Sequence, residues 1–152
     1  MWHIHGEIRR KSSIILNHDE YMRLVTRVIE WNKENRNRYE IAYTNLRFKS
    51  WIDYFIMGDL YILGSGLDFS EHDLWWLLMR RERENASIGK LVFYNPKEIG
   101  REENDVERTI KSLSNAEVAN LNEFSKAIDY PSFYEKAVCD IHKRISAKRK
   151  RE

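Results

Sequence analysis

Residues 60–78 read LYILGSGLDFSEHDLWWLL, and this stretch decides the fold. Tyr61, Ile62 and Leu63 form a short continuous apolar run, the pattern of a strand covered on both faces. The run stops at Gly64, Ser65 and Gly66, where glycine allows a sharp turn. Ser70 then has the chemistry of a helix N-cap, with Asp73 three positions later for a capping-box-like pair. Glu71 and Asp73 put negative charge where the helix dipole is positive. A strand, a glycine turn and a capped helix in immediate succession are the unit from which α/β proteins build ligand sites.

Working outward, Trp2 to His5 reads as a strand that begins almost at the first residue. Asp19 to Trp31 places Tyr21, Leu24, Val25, Val28 and Ile29 at helical spacing. Leu46 to Met57 is helical through Leu46, Trp51, Ile52 and Phe55, and Gly58 ends it. After the central motif, Lys90 to Tyr94 (KLVFY) is a strand that Asn95 and Pro96 terminate, because proline cannot continue a central ladder. Glu102 to Leu113 is helical, Glu117 to Leu121 is an edge-like strand, and Ser132 to Ile145 is a helix with Phe133, Ala137, Val138 and Ile141 inward. Strands alternating with helical crossovers imply parallel pairing. The expected fold is therefore α/β, a three-layer Rossmann-like arrangement around a mostly parallel sheet of about four strands. Residues 1–146 form one domain on this reading, and 147–152 a basic C-terminal tail.

Composition narrows the function classes. The chain has 152 residues, 42% of them hydrophobic, enough for one packed core. Its formal net charge is only +2, so no field over the whole surface points to nucleic acid or an anionic membrane. The excess positive charge is local, in HKRISAKRKRE from His142 onward. Cys139 is the one cysteine, which excludes an internal disulfide and a cysteine-based zinc site and suits a reducing cytoplasm. No apolar run approaches the roughly 20 residues that span a bilayer, and the N-terminus lacks a signal-peptide core. A soluble cytoplasmic protein with no membrane partner is expected.

The chemistry gathers after the strands. Strand one ends in His5 and Gly6, the second in Gly64, Ser65 and Gly66, the third in Asn95 and Pro96. In an open parallel sheet the carboxyl ends share one edge, and ligands bind in the crevice beyond it. Gly64 and Gly66 allow positive φ and close approach of a ligand, while the amides that begin the next helix suit an anion or a ribose hydroxyl. A plain tight turn is the competing reading. His5 could serve as a general base, since imidazole titrates near neutrality. His3 shares its strand face, but two histidines fall short of a zinc ligand set, so no metal is expected. Trp75 and Trp76 sit with Leu74, Leu77 and Leu78 and belong to packing. Arg80, Arg81 and Arg83 complement the exposed end of the same helix.

Three segments together, WHIHGEIRRKSSIILNHDEY, YILGSGLDFSEHDLWWLL and KLVFYNP, resemble sirtuin-like domains of bacterial defence proteins, including those related to the abortive-infection phage-exclusion family. The resemblance covers most of the chain. It implies that His5 is the catalytic histidine, that Gly64, Ser65 and Gly66 correspond to the turn at the NAD ribose, and that Asn95 is the adenosine-side asparagine. Gly66 stands where that family has serine. The glycine-rich opening of such domains, which holds the pyrophosphate, has no counterpart here. The chain thus looks like the C-terminal half of a sirtuin-like domain, N-terminally truncated and close to inactive alone. What the resemblance implies is an NAD-cleaving defence protein. The alternative, from another class, is a non-catalytic module that assembles as a homo-oligomer or with a complementing N-terminal half. Nucleic-acid binding through the tail ranks last.

Overall fold

The structure, a computed structural model, describes residues 18–34, 50–84, 89–121, 123–124 and 128–150. The expected strand Trp2–His5 lies outside them. Contacts divide the chain into two compact units, Met1–Met57 with Phe69–Asn85 and Gly58–Asp68 with Ala86–Glu152.

The second unit holds the sheet. β1 (Leu60–Leu63), β2 (Leu91–Tyr94) and β4 (Ala116–Ala119) pair side by side in the order β1-β2-β4, all parallel. The register aligns Leu63, Tyr94 and Ala119, so all three strands end on one level. β2 lies in the centre, and Leu91, Val92, Phe93 and Tyr94 are all buried, as its unbroken apolar run requires. Two further short strands, β3 (Lys97–Glu98) and β5 (Glu123–Phe124), form a separate parallel ladder. Two-residue strands leave no periodic signal in a sequence, and none was expected there.

α4 (Asp105–Ser112) crosses from β2 to β4. Its start is fixed by a full capping box. Asn104 Oδ1 accepts from Glu107 N–H at 2.8 Å, and the Glu107 carboxylate accepts from Asn104 N–H at 2.9 Å. α5 (Tyr130–Arg149) covers the other side of the cluster formed by Val92, Tyr94 and Ala119, with Phe133 and Ala137 buried and Ile141 packed against it. Full burial of a side chain such as Phe133 contributes roughly 2 kcal/mol. Pro131 is tolerated in the first turn because its missing N–H has no intrahelical partner there, and Asp129 caps the helix by accepting from Ser132 N–H. The helix begins before the expected Ser132 and runs to Arg149. The presumed tail is thus helical through that residue, and Lys148 pairs with Asp59 at 2.8 Å. Val138, expected inward, is 56% exposed.

Side chains along α5 fix its direction. The Tyr94 hydroxyl donates to Asp140 at 2.8 Å, Arg144 reaches Glu117, and Lys148 reaches Asp59 just before β1. α5 therefore runs antiparallel to the strands, and its first turns stand at their carboxyl ends. At the opposite edge, Gly89 packs so closely that a Cβ there would lie 2.4 Å from the Gly58 carbonyl carbon. Only glycine lets the chain re-enter β2 at that spacing.

The first unit contains α1 (His18–Glu34), α2 (Trp51–Met57) and α3 (His72–Glu84). α3 starts at His72, two residues after the expected cap Ser70. The Tyr21 hydroxyl takes over part of the capping role, accepting from Asp73 N–H at 3.2 Å and donating to Asp73 Oδ1 at 2.7 Å. Arg81, expected on an exposed helix end, is 3% exposed and donates to the Phe55 and Ile56 carbonyls. It thereby satisfies two carbonyls that the end of α2 leaves open. Leu77 and Leu78 are fully buried, and Trp75 stacks on Phe69.

The Arg144 guanidinium, and then the Lys90 ammonium, hold the Glu117 carboxyl down from the usual 4.5 to about 2. A depressed carboxyl stabilises the fold at a pH above its unfolded value and loses that contribution as it protonates in the folded state. Wild-type stability, followed by urea midpoints, should fall between pH 4.5 and about 2. Glu117→Gln should flatten that part of the curve.

Candidate functional site

The common register places Gly64, Asn95 and Asn120 one residue beyond β1, β2 and β4. The structure thus brings two of the expected site segments to the carboxyl edge of one parallel sheet. His5 and Gly6 lie outside the described residues.

Gly64 is exposed and adopts φ +75°, a left-handed conformation that costs other residues about 1–2 kcal/mol. A Cβ there would stand 3.3 Å from the Tyr134 hydroxyl, so the group that approaches this glycine is a side chain of α5. Gly66 needs neither positive φ nor the space, since nothing lies within 4 Å of the Cβ position. Of the two glycines, only Gly64 adopts the expected positive φ. Ser65 Oγ accepts from Leu67 N–H at 3.1 Å and closes a serine turn. Leu67, itself at φ +47°, is 1% exposed and pins the turn to the interior.

The Asn95 side chain is tied to the start of α4. Its Nδ2 donates to Glu107 Oε1 at 2.8 Å. Arg101 Nη2 reaches both oxygens of the same carboxylate at 3.3 Å. Glu107 is 1% exposed and accepts from three groups that fix the end of β2 to the start of α4. This network was legible in part: Asn104 and Glu107 stand three apart, the spacing of a capping box. Asn120 also escaped sequence reading, because nothing local marks it. Its Oδ1 is buried and has no hydrogen-bond partner among the described residues.

The exposed Gly64 turn offers backbone within reach of a ligand. The amide nitrogen of Asn95 is already engaged. Among the described residues no group of three or more His, Cys, Asp or Glu side chains is arranged to hold a metal ion, and no helix is long and apolar enough to cross a membrane. A concavity of about 480 Å³ along α1 is lined by Asp19, Met22, Arg23, Thr26 and Arg27. It belongs to the other unit and contains none of the expected site residues. No family model, curated protein or solved structure matches the chain.

The two glycines should separate cleanly on substitution. Gly66→Ala should leave the thermal midpoint unchanged or raise it, since alanine narrows the unfolded ensemble by roughly 0.4–1 kcal/mol where its backbone conformation is allowed. Gly64→Ala should lower stability by about 1 kcal/mol or more through strain at positive φ. Differential scanning calorimetry of both variants reads the contrast.

Proposed function

We propose that the chain is a nucleotide-binding α/β domain of the sirtuin-like type, with NAD as its ligand at the carboxyl edge of the sheet. The observation that carries this reading is the shared level of the strand ends, with the exposed Gly64 turn at one of them. Ligands of parallel α/β proteins bind at such edges. The resemblance in sequence adds His5 as the residue that takes a proton from the ribose hydroxyl or from the attacking water as water replaces nicotinamide at the ribose carbon. Positive charge develops on the ribose as nicotinamide leaves, and rate is gained by stabilising that charge. Depletion of NAD during phage infection is the biological role that accompanies this reading.

Isothermal titration with NAD tests it. Wild-type protein should bind, and Gly64→Val should weaken binding by about tenfold or more, equivalent to roughly 1.4 kcal/mol, with an unchanged circular dichroism spectrum. Any NAD hydrolysis should disappear in His5→Ala while binding persists. Absence of binding up to millimolar NAD overturns the reading.

A second reading, assembly through the sheet, is favoured by one observation. Among the described residues β1 pairs only with β2, and its sequence, LYIL, carries no charge or proline of the kind that guards an open edge. Beside it α5 exposes Tyr134, Val138 and Ile145, a flank continuous with the face packed on the sheet. Light scattering should then give a dimer mass that Val138→Lys returns to the monomer value. A monomer at all concentrations rejects this alternative.

A further inference from the structure

The geometry points to Tyr134 as the residue that binds the heteroaromatic ring of the ligand, a role that rests on the nucleotide reading above. Tyr134 belongs to the first turns of α5, the part of that helix that stands at the carboxyl ends of the strands. Its hydroxyl and ring edge project over Gly64, where a Cβ would meet them at 3.3 and 3.6 Å. The missing side chain of Gly64 is therefore what allows a tyrosine to lie over the turn. Two neighbours hold the ring. Tyr130 stacks on it with centroids 6.2 Å apart and planes at 27°, and Phe133 packs against it at 5.5 Å and 58°. Phe133 is itself 1% exposed, so the group rests on the core.

Despite this support Tyr134 remains 40% exposed and Tyr130 50% exposed. The Tyr134 hydroxyl has no hydrogen-bond partner among the described residues, and nothing in its contacts requires a phenol. Aromatic surface that is fixed in place, open to solvent and adjacent to an exposed glycine turn is suited to stacking a planar ring. Such a platform loses little conformational freedom on binding, because its neighbours have already ordered it. Stacking does not distinguish one base from another. The ligand class is accordingly a nucleotide with its heteroaromatic ring against Tyr134 and its polar part toward Ser65 and the strand ends.

The test compares ligands with and without the ring. Titrations of wild type, Tyr134→Ala and Tyr134→Phe would use NAD, AMP, nicotinamide mononucleotide and ribose 5-phosphate. Tyr134→Ala should weaken NAD binding roughly ten- to a hundredfold, the usual range for loss of one stacking partner. Tyr134→Phe should restore it, since the ring and not the hydroxyl carries the contact. Ribose 5-phosphate should bind equally to all three proteins. Whichever of AMP and nicotinamide mononucleotide loses affinity in Tyr134→Ala identifies the ring that stacks. Equal NAD affinity in wild type and Tyr134→Ala overturns the role of Tyr134 and leaves the nucleotide site standing. If none of the four ligands binds the wild type, the nucleotide reading fails and this role fails with it. A Tyr134→Phe variant as weak as Tyr134→Ala also overturns stacking, because the hydroxyl would then be the group that matters.

Discussion

A carboxylate in the interior is the constraint on which the sheet unit depends. Glu107 is almost wholly removed from water, a position that costs several kcal/mol for an ion without partners. Here it accepts from the Asn95 amide, the Asn104 backbone and the Arg101 guanidinium. Each donor comes from a different part of the β2–α4 connection. The residue after the central strand, the loop that follows it and the first turn of the crossover helix are thereby held to one atom group. Removing any one donor leaves charge less compensated in a dry setting, so the connection behaves as a unit. This is why the carboxyl edge of the sheet is a defined surface and not a set of independent loops.

That rigidity divides labour along the edge. At the β2 end polar groups are used up in holding the backbone, and Asn95 is a strut. At the β1 end the serine turn after Leu63 leaves Gly64 exposed, while Leu67 anchors the turn from below. The two behaviours follow from position. A central strand must deliver its chain into a covered crossover, whereas β1 delivers its chain at the outer side of the three-stranded order.

The sequence made the element order readable because its strands and helices keep distinct periods. LYIL and LVFY are continuous apolar runs, and both are strands of the parallel sheet. The AEVA strand, β4, was also visible at its place beside β2. What could not be read was who satisfies whom across the chain. Ser70 had the right chemistry for a cap, yet Tyr21, 52 residues from Asp73, meets the first-turn donor. Arg81 looked like one more surface arginine, but two carbonyls of α2 hold its side chain in the interior. Val138 fits an inward pattern by spacing alone and falls on the exposed flank of a helix longer than its apolar repeat suggested. At the candidate site the glycines were legible as a turn. Their unequal roles were not, because the neighbour that distinguishes them, Tyr134, stands 70 residues away in sequence from Gly64.

The contact between Lys148 and Asp59 joins the last turn of α5 to the residue before β1. The basic end of α5 is thus a clasp as well as a reservoir of charge. Cutting the chain before Lys148 would loosen the entry to the sheet and remove positive charge in the same step. A loss of anion binding in such a shortened protein would have two inseparable causes. Electrostatics at this end are better explored by neutralising Arg149 and Lys150 singly, with the clasp left closed.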